Sequence, residues 1–168
     1  MEEFWLSGSI ENVSPHLMPA AHALEQAALD IKNNTANLAT EELWTKLNGA
    51  PSVGFHLLHI AGSIDRLLTY CRAETLNDSQ FAELAEETKI NAALDAETLT
   101  RKTLEKIRES VRVIGTTPEE SLFEKRAVGR KQLPTNVFGL LFHIAEHTQR
   151  HVGQIVATAK IVRAAKVN

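Results

Sequence analysis

Four long segments of the sequence carry apolar residues at helical spacing, and this periodicity limits the chain to a helical fold. The first segment follows Ser14-Pro15, a pair that suits the N-cap and the first position of a helix. Aromatic residues make up only 5% of the chain, while Ala, Leu and Glu are plentiful, which favours helix over strand. The apolar residues of the first segment recur three and four positions apart: Leu17, Ala20, Ala21, Leu24, Ala27, Ala28 and Ile31.

Start and stop signals predict three further helices. Ser52 follows the breaker Asn48-Gly49-Ala50-Pro51 and caps a second helix that extends to about Glu74. A third helix is predicted from about Ala96 to Gly115, and a fourth from Pro134 to about Ala164. Four helices of roughly 20 to 30 residues with little strand signal predict an all-α fold, a four-helix bundle.

The connections between these helices are predicted to be polar. A short turn is expected over residues 41–47, and a long acidic connection over 77–92 with helical character from Phe81 to Ala85. Residues 116–133 contain Gly and Pro breaks and are predicted to have irregular backbone. The basic cluster Lys125–Lys131 is interpreted as a solvated loop, because a phosphate site would need a glycine-rich turn after a strand.

Length and charge restrict the class of protein. The 168 residues fit one domain, 1–168, without an internal repeat or a linker. The net charge of −3 gives no electrostatic basis for nucleic-acid binding. The N-terminal residues Met1-Glu2-Glu3-Phe4-Trp5 lack the basic start of a signal peptide, and no apolar run approaches the ~20 residues of a membrane span. A cytoplasmic protein without nucleic-acid or membrane partners is predicted.

The single cysteine and two N-terminal aromatic residues are assigned to the core. Cys71 follows Leu67 and Leu68 at helical spacing, which favours a small buried residue over a nucleophile. Phe4 and Trp5 are expected to make ordinary core contacts, in preference to forming an exposed patch that binds a partner.

Three of the seven histidines form a ladder on the fourth helix: His143, His147 and His151. Neighbours in this ladder lie one turn apart and are offset by only about 40°, so two imidazoles can bind one metal ion. The ladder flanks the apolar face of the helix, with His151 nearest to that face and His143 farthest from it. Gln154 continues on the His147 side, where it can orient a ligand or substrate.

The second helix places His59 away from its main apolar face. This residue shares a mixed aromatic and polar side with Phe55, Gly62, Arg66 and Tyr70, which is more typical of a pocket wall than of a solvated surface. Gly62 costs ~1 kcal/mol of helix stability relative to Ala. One reason for a glycine at this position is the room that it leaves beside His59 for a ligand or a facing helix.

Purely structural histidines are the alternative interpretation. A histidine in a helix is usually a surface residue or a core residue with a polar neighbour, and a pair four residues apart also occurs by chance. The sequence contains neither HExxH nor the carboxylate motif of a di-iron bundle. Glu146 points away from His147 by about 100° along the helix. Spacing alone therefore leaves both interpretations open.

Two motifs resemble signatures of the DinB/YfiT-like superfamily. Residues 52–66, Ser-Val-Gly-Phe-His-Leu-Leu-His-Ile-Ala-Gly-Ser-Ile-Asp-Arg, resemble its second-helix signature, in which one histidine opens an HLA-type stretch. Residues 143–155, His-Ile-Ala-Glu-His-Thr-Gln-Arg-His-Val-Gly-Gln-Ile, resemble its last-helix signature, a histidine pair four residues apart followed by Gly-Gln-Ile. The number and order of the helices also fit, so the likeness spans nearly the whole chain.

The resemblance implies a four-helix bundle with a three-histidine site for one divalent metal ion, most often nickel or zinc. Matched residue by residue, the ligands would be His59, His147 and His151. His56 and His143 have no fixed place in the pattern. They either support the metal ligands without binding the ion or are incidental, and the incidental position is favoured.

The resemblance also implies a function. The first hypothesis is a metal-dependent enzyme that activates a low-molecular-weight thiol or water for transfer or hydrolysis on a small-molecule substrate. In that scheme Arg66, Tyr70 or Gln154 would contact the substrate. The second hypothesis is a non-catalytic, stress-linked metal-binding or interaction protein, and the third is a bundle whose histidines are structural. A homodimer is the expected assembly.

Overall fold

The computed structural model describes residues 3–165, which are mostly helical. Met1 and Glu2 of the N-terminal segment, and residues 166–168 of the predicted domain, lie outside the described residues. Short 3₁₀ turns occupy Phe4–Leu6 and Glu119–Ser121. The remaining elements are α1 (Met18–Thr35), α2 (Thr40–Trp44), α3 (Val53–Cys71), α4 (Asp78–Glu86), α5 (Ala96–Thr116), β1 (Lys125–Val128), β2 (Leu133–Asn136) and α6 (Val137–Ala164).

The four long helices, α1, α3, α5 and α6, enclose the hydrophobic core. Both α1 and α3 pack against α5 and α6, so the helices follow one another around the core in the order α1, α6, α3, α5. This order places α3 and α6, which carry the histidine motifs, side by side. Each long helix contributes an apolar stripe of buried side chains, among them Leu24, Ile31, Leu57, Ile60, Ile64, Leu99, Ile107, Ile114, Leu141 and Ile155.

The capping residues predict the starts of the middle helices well. The Ser52 hydroxyl oxygen accepts a hydrogen bond from the backbone N–H of Phe55 at 3.2 Å, which confirms the predicted cap of the second helix. Asp95 caps α5 in the same way, because its carboxylate accepts from the backbone N–H of Thr98 at 2.8 Å. The short helix expected within the acidic connection is α4, and Asn77 caps it.

The first helix begins later than Ser14-Pro15 predicts. The Ser14 carbonyl accepts hydrogen bonds from the N–H groups of Leu17 and Met18, both at 3.0 Å, and this separate turn precedes α1. The Ser14 hydroxyl donates to the Glu119 carboxylate, and its oxygen accepts from the backbone N–H of His16 at 3.3 Å, so Ser14 caps this turn and not α1. The predicted cap is therefore wrong. α1 starts at Met18 with Pro19 in its first turn, where a missing N–H costs no helical hydrogen bond.

A β-hairpin occupies part of the segment for which irregular backbone is predicted. β1 and β2 pair antiparallel, with Lys125 opposite Asn136. The chain reverses through Gly129 and Gln132 at φ values of +70° and +50°, and the first is a conformation that glycine adopts without strain. The all-α prediction and the loop interpretation of Lys125–Lys131 are wrong at this point, because four-residue strands are too short to show a clear alternating pattern.

The same hairpin delays the start of the last helix. Pro134, predicted as its first residue, lies in β2, where an edge strand tolerates the missing N–H. α6 begins at Val137, and the Asn136 side chain caps it by accepting from the backbone N–H of Gly139 at 2.7 Å. The predicted end of the helix at Ala164 is confirmed.

Of the residues predicted to lie in the core, Cys71 is buried and Trp5 is exposed. Trp5 is 65% exposed, so the core contact expected for it is wrong. Its indole N–H donates to the Glu3 carboxylate at 2.6 Å within the N-terminal turn. Cys71 is buried as predicted, and burial raises the pKa of its thiol to about 11, which disfavours a nucleophilic role. No helix within residues 3–165 is long and apolar enough to cross a membrane.

Candidate metal centre

Three histidines converge between α3 and α6. His59 lies on α3, and His147 and His151 lie on successive turns of α6. One ring nitrogen of each lies within 4.8 Å of the corresponding nitrogens of the other two. The ring centroid of His151 is 4.6 Å from the centroids of both His59 and His147. The structure thus brings together the three residues that match the family motifs. We call them the histidine cluster.

His59 is held by a carboxylate and by an aromatic ring. Its Nδ1 lies 2.7 Å from Oε2 of Glu87, and its ring stacks on Phe55 with a centroid separation of 5.4 Å and an interplanar angle of 10°. Because an ionised carboxylate only accepts hydrogen bonds, Nδ1 of His59 carries the proton and Nε2 keeps its lone pair. That Nε2 lies 3.4 Å from Nε2 of His147. The lone pair of His59 is therefore available within the cluster.

His147 and His151 each contact a polar side chain of α3. The Ser63 hydroxyl oxygen lies 3.4 Å from Nδ1 of His147. Nδ1 of His56 lies 2.8 Å from Nδ1 of His151, and His56 is only 3% exposed. When Nδ1 of His151 donates this hydrogen bond to Nδ1 of His56, Nε2 of His151 keeps its lone pair and is the nitrogen available to an ion. His56, for which an incidental position is expected, is a direct neighbour of the cluster.

Glu87 is the residue of the site that the sequence does not predict. It lies in the connection after α4, and its carboxylate also accepts a hydrogen bond from Nη1 of Arg66 at 2.7 Å. The side chains of Glu87 and Arg66 are only 5% and 11% exposed. Gly62 provides the space for this pair, because a Cβ there would overlap Oε1 of Glu87 and lie 2.8 Å from Nη1 of Arg66. Arg66 thus reaches the cluster through Glu87.

His143 lies beside the cluster. Its ring centroid is 5.4 Å from that of His147, and its Nδ1 lies 2.6 Å from Oε1 of Glu146. Glu146 also accepts hydrogen bonds from Arg150, at 2.9 Å and 3.1 Å. The carboxylate nearest to the histidine ladder is therefore already engaged by two cationic or polar partners.

Tyr70 and Gln154 lie apart from the cluster. Tyr70 lines a cleft of about 590 Å³ between the end of α3 and the β-hairpin, together with Arg126 and Arg130. Gln154 is exposed and forms no hydrogen bond within the part of the chain that the structure describes. The structure therefore brings neither residue to the histidine cluster.

Burial keeps the imidazoles of His56, His147 and His151 neutral. The pKa of His56 and of His147 is lowered to about 4 and that of His151 to about 3, first by burial and second by the repulsion that a proton on these rings would meet from one on His59. Neutral imidazole is the form that binds a metal ion, so no proton has to leave these three rings at neutral pH.

The lowered pKa values predict that the metal-free protein loses stability on acidification. Between the ordinary pKa of 6.5 and the folded values of about 4 and about 3, the unfolded chain binds protons that the folded chain does not. The free energy of unfolding should therefore be fully present above about pH 6.5 and decrease as the pH falls towards 4. Urea denaturation in the presence of a chelator measures this dependence. His56→Leu removes one of the three groups and should show a shallower decrease, and an unchanged slope would contradict the prediction.

The donor set fits a divalent metal ion. Neutral imidazole nitrogens suit zinc, copper, iron and nickel. The 3.4 Å between Nε2 of His59 and Nε2 of His147 is close to the roughly 3.3 Å expected for two nitrogens bound tetrahedrally at about 2.0–2.1 Å. The contact of His59 with Glu87 is also typical, because a ligating histidine usually donates its other N–H to a carboxylate, carbonyl or water.

The fold and the cluster define a mostly helical protein with three convergent histidines that can hold a metal ion. The family model of the DinB superfamily matches residues 23–155, a span that includes the whole histidine cluster. The chain therefore belongs to the DinB superfamily, which confirms the resemblance carried by the two motifs.

Two solved structures share this fold. A protein from Streptococcus pneumoniae superposes with a TM-score of 0.63 at 16% identity, over 86% of this chain and 88% of that one. A DinB-like protein from Bacillus cereus superposes with a TM-score of 0.62 at 14% identity, over 83% of this chain and 89% of that one. At these identities the likeness concerns the fold alone. No curated protein matches the chain in sequence.

Proposed function

We propose that His59, His147 and His151 bind one divalent metal ion, nickel or zinc, within a DinB-like four-helix bundle formed by α1, α3, α5 and α6. The observation that carries this proposal is the convergence of one nitrogen from each histidine within 4.8 Å. Three protein ligands leave further coordination positions open, which is typical of catalytic zinc sites and unlike closed structural ones.

We propose further that the protein is a metal-dependent enzyme acting on a small molecule. An ion held by three neutral nitrogens supplies Lewis-acid chemistry, which lowers the pKa of a water or thiol that coordinates it. The chain itself supplies orientation. Phe55 and Glu87 fix the plane and the tautomer of His59, and Nδ1 of His56 can accept the hydrogen bond that orients His151.

The carboxylates around the cluster favour a thiol over water as the activated group. Glu87 is engaged by His59 and Arg66, and Glu146 is engaged by His143 and Arg150. Neither carboxylate is free to take a proton from an attacking water as a general base. A thiol needs less assistance, because its pKa of about 8.5 is far below that of water. Transfer of a low-molecular-weight thiol is accordingly preferred to hydrolysis.

The engaged carboxylates also favour a second candidate, a non-catalytic and stress-linked metal-binding or interaction protein. The two candidates differ in turnover. Metal-loaded protein that transfers a low-molecular-weight thiol to an electrophile supports the enzyme, and metal-loaded protein inactive with thiol and hydrolytic substrates supports the second candidate. The expected homodimer and cytoplasmic location stay predictions from the sequence.

Metal content tests the metal proposal directly. We expect near-stoichiometric nickel or zinc by elemental mass spectrometry in protein purified without an affinity tag, and loss of that metal in His59→Ala, His147→Ala and His151→Ala. His143→Ala is the matched control, because His143 belongs to the same ladder but its side chain is 44% exposed and bonds to Glu146. This control should retain the metal.

Absence of metal from the wild type, even after supplementation with zinc or nickel, would contradict the proposal. The histidines would then be structural, and the three cluster variants would change stability alone. Loss of metal in His143→Ala, with retention in His151→Ala, would show that His143, and not His151, is the metal ligand.

A further inference from the structure

The segment of residues 81–93, which we call the strap, contains a single buried residue. Its other residues are exposed, and these include the apolar residues Phe81, Leu84 and Ile90. The buried residue is Glu87, an acid. Since apolar burial is the usual reason for a connection to lie against a helical core, a segment that buries only a carboxylate needs another explanation.

The cost of burying the Glu87 carboxylate is offset by hydrogen bonds to His59 of the histidine cluster and to Arg66. Its two carboxylate oxygens are each 2.7 Å from a nitrogen, Oε2 from Nδ1 of His59 and Oε1 from Nη1 of Arg66. Gly62 gives the carboxylate room to approach α3. His59, Arg66 and Gly62 of α3 therefore together accommodate the Glu87 side chain.

The other attachments of the strap are at the surface. Lys102 and Glu83 form an exposed ion pair at 3.7 Å, and the guanidinium of Arg130 lies 5.8 Å from the centroid of the Phe81 ring. Exposed pairs of this kind contribute little to stability. At its N-terminal side the strap continues α4, which is held to α3 by Gln80, 8% exposed and donating to Asp65 at 2.6 Å and to Thr69 at 2.8 Å. Glu87 is thus the one buried contact within residues 81–93, and it fastens the part of the strap that follows α4.

We propose that Glu87 is a positioning residue for the metal ligand His59 and that it couples metal binding to the order of the strap. The inference rests on the proposed function, because the coupling requires an ion on His59. With Glu87 in place, Nδ1 of His59 donates and Nε2 is directed at the ion. With the strap released, the ring is free to turn and to change its tautomer. Metal binding must then favour the fastened strap by the same factor by which the fastened strap favours metal binding.

The structure also defines the variant that tests this coupling. In Glu87→Gln the side chain keeps its size, but it offers one acceptor oxygen where His59 and Arg66 need two. Groups that hold a metal ligand are worth about 10–100-fold in metal affinity. We expect Glu87→Gln to bind zinc 10–100-fold more weakly than the wild type, in a competition titration with a chromogenic chelator.

Hydrogen exchange supplies a readout that is independent of activity. In the wild type, zinc should slow amide exchange in residues 81–93 by a factor of similar size to that affinity loss. In Glu87→Gln, zinc should leave the exchange of the strap unchanged. Glu86→Gln is the matched control, because Glu86 neighbours Glu87, is 64% exposed and forms a surface ion pair with Lys89. It should behave as the wild type in both measurements.

The outcomes separate this inference from the proposed function. Wild-type protein that binds zinc without a change in strap exchange overturns the coupling and leaves the metal site intact, as does equal zinc affinity in Glu87→Gln and Glu86→Gln. Wild-type protein that binds neither zinc nor nickel overturns the proposed function, and the inference falls with it. If Glu87→Gln does not fold by circular dichroism, Glu87→Asp keeps the charge, withdraws the carboxylate from His59, and should weaken zinc binding in the same direction.

Discussion

Replacing Arg66 by methionine is expected to lower the free energy of unfolding of the metal-free protein by about 3–5 kcal/mol. The guanidinium of Arg66 lies 2.7 Å from the Glu87 carboxylate, and both side chains are almost completely buried. Without Arg66 the carboxylate keeps only His59 as a partner, so a buried charge loses its cation. Methionine resembles arginine in helix propensity, so the loss reports mainly the charge. Urea denaturation with a chelator present measures it.

Arg101→Met is the matched control for this prediction. Arg101 pairs with Glu105 one turn along α5, but the side chains of both residues are largely exposed, so we expect little change in stability. The double variant Arg66→Met/Glu87→Leu removes both buried charges and should recover most of the lost stability. A loss in Arg66→Met no larger than that in Arg101→Met would contradict the dependence of Glu87 on Arg66.

Local signals predicted the helices whose ends are set by neighbouring residues. Ser52 caps α3 as its position before the apolar period predicts, and the last helix ends where expected. The start of α1 is predicted too early because Ser14-Pro15 begins a separate turn that precedes the helix, and the Ser14 hydroxyl also bonds to Glu119, 105 residues away. The start of α6 was mispredicted because Pro134 pairs in a hairpin whose strands are too short to show alternation.

The sequence predicts the grouping of those histidines that lie on the same helix. The spacing of His147 and His151 follows from helical geometry alone, whereas the addition of His59 needed the family motif. Glu87 was beyond reach because it is 28 residues from His59 and lies in an acidic segment where no period distinguishes it from its neighbours. The role of His56 is not predictable locally, because its partner His151 lies on another helix, 95 residues away in sequence.

Gly62 is the one feature of the sequence that pointed towards the missing carboxylate. Its presence within a helix predicted room for a ligand or a facing helix beside His59. The structure shows that the room is taken by the ion pair of Glu87 and Arg66. The signal was therefore real, but the sequence could not name the side chain that uses the space, since that side chain comes from a distant connection.

Gly62→Ala should accordingly destabilise the protein, although Gly-to-Ala changes within helices usually stabilise by ~1 kcal/mol. A Cβ at position 62 would overlap Oε1 of Glu87 and lie 2.8 Å from Nη1 of Arg66. Both are long side chains, but each is held by the other, and Glu87 is also held by His59, so neither can move without losing a buried contact. Overpacking of this kind costs about 1–3 kcal/mol, which outweighs the helical gain.

Gly153→Ala is the control that isolates this steric effect. Gly153 lies in α6, is exposed, and a Cβ there would meet no atom within 4 Å, so the usual stabilisation of ~1 kcal/mol should appear. Urea denaturation of the two variants should therefore give changes of opposite sign. Stabilisation by both would mean that Glu87 and Arg66 move aside freely. The strap would then be held too weakly to orient His59, whereas opposite signs would establish that the space beside Gly62 is reserved for the carboxylate that holds this histidine.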